Sequence, residues 1–269
     1  MTVSLGLRYR SAPERRARIV ELVRSRSHVS AAELSAELGV SEMTVRRDIT
    51  LLAAGGSVRA VRGGVSRLPH DVVGTDHAVR AAQQPGAKRR IAMEAARLVV
   101  ADTTVALDVG TTTLELARAL PRSIRLSVVT SSLPAMAELA TRAEVELIGL
   151  GGVLVPESQA FSGPGTVAAL RELRVQQAFL GATAMRDGQL LGGNPWDAEL
   201  KRTLLDVAEQ VIVLADATKL RRSALFRVGP LSAADILVTD DAIEPEDRAR
   251  LEETGLRVIV ASTVERELG

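Results

Sequence analysis

The chain contains no cysteine. Disulfides, thiolate nucleophiles and cysteine-bound metals are therefore excluded. Histidine is nearly as scarce: His28, His70 and His77 are the only three, and no two stand at metal-ligand spacing. Neither a metal site nor a cofactor is implied. No apolar run approaches the roughly 20 residues of a membrane helix, and the N-terminus shows no signal-peptide core. The expectation is a cytoplasmic protein with no membrane partner. Lysine is missing from residues 1–70, where 12 arginines stand against 6 acids, a net charge of +6. Residues 71–269 carry −5, so the overall +1 hides two oppositely charged parts. A basic small segment on an acidic larger one points to a polyanion-binding domain attached to a different kind of module.

What is present suffices for two domains: 269 residues, 46% of them hydrophobic, can build one substantial core and a smaller one. Residues 1–10 read as a loose arm. Ser11-Ala12-Pro13-Glu14 has the form of a capping box with proline in the first turn. Ile19, Leu22 and Val23 give the following helix an apolar stripe, to about Arg26. Ser30-Ala31-Ala32-Glu33 is a second capping box, opening a helix with Leu34 and Leu38 inward. Gly39 ends that helix, and Ser41 caps a third. In the third helix Val45, Ile49 and Leu52 face inward and Met43, Arg47 and Thr50 outward, with Thr44 and Arg46 on the flanks. An arginine and hydroxyls on an exposed helical face can bond guanine edges and phosphates. Taken alone, the same face is also that of an ordinary solvated helix.

The neighbouring elements decide between these. Three short helices with a tight turn before the third form a helix-turn-helix. Beyond Gly55-Gly56 the stretch Val58 to Arg62 alternates, turns at Gly63-Gly64 and returns as Val65-Ser66-Arg67. This is a β-hairpin wing with Arg59 and Arg62 available for phosphates. Residues 11–67 are thus predicted to be an α+β winged helix-turn-helix that binds double-stranded DNA.

The run from Val29 to Gly64 resembles the DNA-binding domain of the DeoR family of bacterial transcription regulators. The matching residues are Ser41, Thr44-Val45-Arg46-Arg47-Asp48 and Val61-Arg62-Gly63-Gly64. The resemblance implies that Thr44, Arg46 and Arg47 belong to the DNA-reading helix. Arg47 is assigned mainly to bases, and Arg46 to bases or backbone.

Residues 68–87, with Pro69, Gly74, Pro85 and Gly86 and no clear period, read as a linker. From a helix at about Lys88–Val100 onward, apolar strands alternate with helices. Strands are predicted near 104–109, 126–130, 145–150, 177–181, 211–215, 224–228, 236–239 and 258–260. Helices are predicted near 113–120, 133–142, 166–173, 197–210 and 245–254. The pattern implies an α/β domain, residues 88–269, with an open, mostly parallel sheet and helices on both faces. Its strand-end loops are rich in small polar residues: Asp108-Val109-Gly110-Thr111-Thr112-Thr113, Thr130-Ser131-Ser132, Gly151-Gly152 and Asp216-Ala217-Thr218-Lys219. Ligands in open α/β sheets bind beyond the carboxyl ends of the strands, and a helix N-terminus with added hydroxyls suits a phosphate. Each loop alone is equally an N-cap turn, and Asp216 with Lys219 equally a surface pair. Asp197 and Glu199 open a helix, where acids are favoured in any case, or bind sugar hydroxyls. Trp196, the only tryptophan, lines the pocket or packs.

As a set these loops resemble the effector domain of the DeoR family, which is similar in fold to ribose-5-phosphate isomerases and CoA transferases. The likeness runs from about Ser11 to Thr239. It implies a phosphorylated sugar or related metabolite as effector, with Asp108, Gly110, Thr111, Thr112, Thr113, Thr130, Ser131, Gly151, Gly152, Glu199 and Lys219 lining the site. The chain departs from the family where Ser131 stands for a frequent asparagine and where no basic residue lies near Val155. Two other readings are an isomerase-like enzyme and an architectural DNA binder without an effector. The isomerases carry an acid-rich loop where this chain has Gly181-Ala182-Thr183-Ala184-Met185-Arg186, leaving Glu199 as a lone candidate base. The expected protein is a transcriptional regulator, a repressor of carbohydrate genes and not an enzyme, acting as a dimer or tetramer on spaced half-sites.

Overall fold

A computed structural model describes residues 11–26, 28–54, 58–66 and 77–262. The expected arm, Gly55-Gly56, Arg67, the 68–76 part of the expected linker and the Arg59 side chain lie outside what is described. The chain divides into two compact units, residues 1–72 and 73–269.

The first unit holds α1 (Ala12–Arg26), β1 (His28–Ser30), α2 (Ala31–Leu38), α3 (Glu42–Ala54), β2 (Arg59–Val61) and β3 (Gly64–Ser66). The caps read from sequence form. Ser30 Oγ accepts from Glu33 N while the Glu33 carboxylate accepts from Ser30 N, and Ser41 Oγ accepts from Thr44 N. The apolar stripes of the three helices meet in one small core around Ile19, Leu34, Leu38, Val45, Ile49 and Val65. The wing gains a strand that the sequence reading left out: β1 pairs with β3, giving an antiparallel sheet in the order β1-β3-β2. Gly64 is required by this pairing, because a Cβ there would sit 2.4 Å from the Val29 carbonyl oxygen.

The second unit begins with two helices, α4 (His77–Ala82) and α5 (Pro85–Ala96). The predicted linker 68–87 is therefore corrected over 77–87. Pro85 does not break structure there but occupies the first turn of α5, where no N–H is needed. The chain continues through β4 (Thr103–Leu107), α6 (Thr111–Ala119), β5 (Leu126–Thr130), α7 (Leu133–Leu139) and β6 (Val145–Gly149). A hairpin of β7 (Val153–Val155) and β8 (Ala160–Ser162) leads to α8 (Pro164–Arg171) and β9 (Val175–Gly181). Next come β10 (Ala184–Arg186), β11 (Gln189–Gly192), α9 (Pro195–Val207), β12 (Ala208–Leu214) and a 3-10 turn at Ala217–Arg221. The last elements are β13 (Phe226–Pro230), β14 (Ile236–Asp240), α10 (Pro245–Glu253) and β15 (Arg257–Ala261). The helix expected over 197–210 stops at Val207, because Ala208 and Gln210 pair in register with Val175 and Gln177. The segment expected as a strand at 224–228 belongs to a small antiparallel sheet, β10-β11-β13, beside the main one.

The main sheet has seven strands in the order β15-β14-β12-β9-β4-β5-β6, and every pairing in it is parallel. Apolar cores cover both faces. The strand order reverses between β4 and β9, so the loops after these two strands flank the crevice where such sheets bind ligands. No helix among the described residues is long and apolar enough to cross a membrane.

Candidate functional site

In the winged unit, one face of α3 is left unpacked. Met43, Arg46, Arg47 and Thr50 are exposed at helical spacing, Met43 to 81%. Among the described residues Arg46 makes a surface pair with Glu42 at 3.4 Å, which holds it weakly. Arg62 is exposed at the turn of the wing. Ser41 and Thr44 share a hydroxyl contact of 3.0 Å at the head of the helix. The sequence reading missed what fixes this face. Asp48, on the same helix, is buried and takes a 2.6 Å bond from Arg15 Nε, with Arg16 at 4.0 Å. The ion pair locks α3 against α1 while Arg46 and Arg47 point away from it.

In the second unit, the strand-end loops meet at the carboxyl edge of the sheet. Asp108 follows β4 and is fully buried. Its Oδ2 accepts from Gly181 N at 2.9 Å, at the end of β9, and from the Lys201 ammonium of α9. Lys201 also pairs with Asp197 at 3.0 Å. Burial pushes the Asp108 carboxyl up, against the pull of Lys201. Burial also works against the Lys201 charge, yet Asp108 and Asp197 outweigh it and hold that lysine above its ordinary value. The group is thus an ionic triad with two carboxylates to one ammonium. Asp108 Oδ1 and Ser131 Oγ are both buried without a hydrogen-bond partner among the described residues. Both residues line a small cavity walled by Leu150, Leu170, Leu200 and Leu204. Buried polar atoms of this kind call for a ligand or a water.

A second group lies around the 3-10 turn. Lys219 and Lys88 are buried, and Lys219 Nζ is 3.9 Å from Asp216. Burial lowers the Lys219 ammonium to about 8; Asp216 opposes the shift and Arg222, Lys88 and Arg80 add to it. Lys88 is lowered for the same first reason, with Arg80 and Arg222 adding to it. Arg80 and Arg222 thus act on both lysines, Asp216 opposes them at both, and Glu115 also favours the charge on Lys88. The N-terminus of α6 has no side-chain cap, so its amides add to the positive field at this edge.

The other expected site residues fall into different roles. Thr111, Thr112 and Thr113 are buried in the first turn of α6. Thr113 Oγ1 is committed to the carbonyls of Asp108 and Gly110 at 2.7 and 3.1 Å. The Thr130 hydroxyl donates to Leu107 O at 2.8 Å and braces β4 against β5. Gly152 is a packing residue, since at φ 145° a Cβ there would come within 2.2 Å of Thr166 Oγ1. The Thr166 hydroxyl in turn bonds Gly151 O at 2.7 Å. Glu199 is the clearest correction. It stands roughly opposite Lys201 on the wheel of α9 and pairs with Arg202 and Arg171 at 2.9 and 2.8 Å. The hydrogen bond from Arg202 holds its carboxyl below the ordinary value. It is half-exposed and separate from the Asp108 group. Trp196 is half-exposed on the first turn of α9.

Comparison with known proteins decides the family. The DeoR-like helix-turn-helix domain matches residues 15–70, and the DeoR C terminal sensor domain matches residues 83–241. The chain belongs to the DeoR family of transcriptional regulators. Among curated DeoR-type relatives, the uncharacterized HTH-type transcriptional regulator YgbI of Escherichia coli (strain K12) is 33% identical, over 92% of this chain and 97% of its own. The glycerol-3-phosphate regulon repressor of Haemophilus influenzae is 31% identical, over 86% of this chain and 90% of its own. The putative aga operon transcriptional repressor of Escherichia coli O157:H7 is 30% identical, over 92% and 93%. Among solved structures, ribose 5 phosphate isomerase A from Neisseria gonorrhoeae has 19% identity and a TM-score of 0.37, over 49% of this chain and 52% of its own.

In this DeoR-family regulator the exposed face of α3 is the one expected to read DNA. In its sensor domain, sequence reasoning had found Lys219 and Asp108 but missed Lys88, Lys201, Arg80 and Arg222. A signal for two of these was present. The chain has three lysines among 34 basic side chains, and all three are buried, at 3% exposure for Lys88, 1% for Lys201 and 8% for Lys219. Lysine is a compact charge with three rotatable donors, suited to a closed site where a planar guanidinium does not fit.

Proposed function

We propose that this DeoR-family regulator is a repressor of carbohydrate genes whose effector is a phosphorylated sugar or a related phosphorylated metabolite. One observation carries the reading. The carboxyl edge of a single sheet holds a desolvated cationic group and, with it, a carboxylate–hydroxyl niche whose two buried oxygens lack partners. A sugar phosphate has the matching polarity. Its phosphate suits Lys219 and Lys88, with Arg80, Arg222 and the uncapped start of α6 around it. Its hydroxyls suit Asp108 Oδ1 and Ser131 Oγ. Two similar proteins are named as repressors of the glycerol-3-phosphate regulon and the aga operon, which favours the same class.

The winged domain, residues 11–67, takes the operator, and the domain from residue 77 onward senses the ligand. A homodimer or homotetramer in the cytoplasm places two α3 helices on spaced half-sites. The protein is a sensor and not an isomerase. Isomerisation needs a base near a bound carbonyl, and Glu199, the candidate, is engaged by two arginines on the outer side of α9.

The test takes the full-length protein, selects its operator from random duplexes, and adds a panel of phosphorylated sugars. At least one is expected to weaken operator binding and to raise thermal stability, by about 2.7 kcal/mol at a hundredfold excess over Kd. A panel that changes neither favours the architectural alternative. Turnover of a pentose phosphate favours the enzyme.

A further inference from the structure

We propose that the niche between Asp108 and Ser131 reads one hydroxyl of the effector, and that Ser131 is the residue that sets this specificity. The proposal rests on the effector reading and narrows it to a single group of the ligand.

The polar groups around the niche are nearly all committed. In the run after β5, Thr130 Oγ1 donates to Leu107 O and accepts from Ser132 N at 3.1 Å. Ser132 Oγ accepts from Ala135 N at 3.4 Å. The Ser131 carbonyl accepts from Phe161 N at 2.9 Å. The Ser131 hydroxyl is the one of the three left without a partner among the described residues, in a side chain 2% exposed. Asp108 repeats the pattern. Its N–H donates to Phe179 O at 3.0 Å, and its carbonyl accepts from Thr113 Oγ1. Oδ2 takes Gly181 N and the Lys201 ammonium, which leaves Oδ1. Both residues are therefore fixed by other contacts, while one oxygen of each is left over beside the same small void. A site held in this way loses little freedom when it binds.

The void sets the size and the chemistry of what enters. It has room for about one water molecule, so neither a phosphate nor a sugar ring fits. Leu150, Leu170, Leu200 and Leu204 wall it and offer nothing polar; Thr130 lines it too, but its hydroxyl is engaged. Paired with the Lys201 ammonium, Asp108 is a carboxylate and only accepts, so the occupant must donate to Oδ1. Ser131 Oγ can donate or accept. An alcohol satisfies both oxygens with a single atom, donating to Asp108 and accepting from Ser131. An ammonium brings three donors and leaves one against leucine. Asp108, Ser131 and Leu150 directly follow β4, β5 and β6. The niche therefore lies at the carboxyl edge, where the rest of the ligand stays outside it.

The test measures, by calorimetry on the full-length protein, affinities for ribose 5-phosphate, glucose 6-phosphate, fructose 6-phosphate and glycerol 3-phosphate. Monodeoxy and monofluoro analogues of the tightest binder follow. One position is expected to lose about tenfold to a hundredfold on both changes, because fluorine keeps the size but not the donor. Ser131→Ala is expected to weaken the parent ligand about fivefold, and to shrink the loss at that position alone by the same factor. In the free protein the same substitution should move Tm by less than about 2 °C, since the hydroxyl has no protein partner to lose. Tolerance of fluorine at every position, or losses that are independent of Ser131, overturns the proposal and leaves the effector reading standing. A lower Tm for Ser131→Ala with unchanged ligand affinity also overturns it, and marks a resident water instead. Binding of none of the four removes the effector reading, and the hydroxyl niche with it. The analogue series on the unaltered protein carries the test if Ser131→Ala does not fold.

Discussion

In the winged domain the charges proposed to meet a partner are arginines on the outside; in the sensor domain they are lysines on the inside. Arg46, Arg47 and Arg62 are exposed. Lys88 and Lys219 are buried, and their ammonium groups lie below the ordinary value. The partners explain the contrast. DNA is a long polyanion that cannot enter a pocket, and the arginines proposed to meet it are hydrated, permanently charged forks whose geometry suits guanine edges. A small anion can be enclosed, and a desolvated ammonium is weakly satisfied until such an anion arrives. Both domains nonetheless anchor their working face with a buried acid: Asp48 with Arg15 under α3, and Asp108 with Lys201 beneath the crevice.

The largest expected effect breaks the inside half of the contrast. Lys201→Met leaves Asp108 buried with no cation, which should cost about 3–5 kcal/mol in denaturant unfolding of the sensor domain. Asp108→Asn in the same background should restore most of it, because the neutral amide removes the stranded charge. A cost under about 1 kcal/mol for Lys201→Met would mean that water reaches the pair, and the inside–outside distinction would fail.

The outside half is tested by an intermediate effect. Arg47→Ala is expected to lose about 1–3 kcal/mol on the selected operator and little on random DNA. Arg62→Ala should weaken both alike and lower the salt slope by about one. Equal losses on both DNAs for Arg47→Ala would show that α3 and the wing do the same backbone work.

How much of this was legible in sequence differs between the domains for the same reason that the charges do. The winged domain is written in local signals: the Ser30–Glu33 box, the Ser41 cap and the Val45–Ile49 period each involve residues within one or two turns. The exposed face of α3 followed directly; the lock at Asp48, whose partner is 33 residues away, and the pairing of β1 with β3 escaped. In the sensor domain the long strands and the strand-end loops were readable, because apolar runs and small polar residues mark them. The hairpin β7–β8 and the β10–β11 pair were not, since strands of three or four residues are too short to show a period. The site was half legible for a different reason. Asp108 and Lys201 are 93 positions apart, and only the parallel sheet brings them together. Glu199, expected to line the site, stands two positions from the unmentioned Lys201, and two positions along α9 exchange the buried side for the surface.

The smallest expected effect separates the two kinds of charge by pH. Lys219 in the folded protein titrates near 8, below its ordinary value of 10.5. Between those values the unfolded chain holds the proton more often than the folded one, so this residue's contribution makes stability rise with pH through that window. Below about 8 both states are protonated and the destabilisation is present in full. A bound phosphate dianion favours the charged ammonium and pulls its pKa back up. Binding then takes up a proton above pH 8, and affinity falls as pH rises. If the anion restores one pKa unit, affinity for inorganic phosphate should drop about tenfold at most between pH 7.5 and 9.5. Inorganic phosphate is mostly the dianion at the lower limit and becomes fully so as pH rises, which works slightly against the fall. Calorimetry in buffers of different ionisation enthalpy should show the proton uptake directly, and Lys219→Met should abolish it. Operator binding without effector, which does not involve Lys219, should stay flat over the same range. Phosphate affinity that is flat or rising toward pH 9.5 would place the anion away from Lys219 and leave the buried lysines as structural charges only.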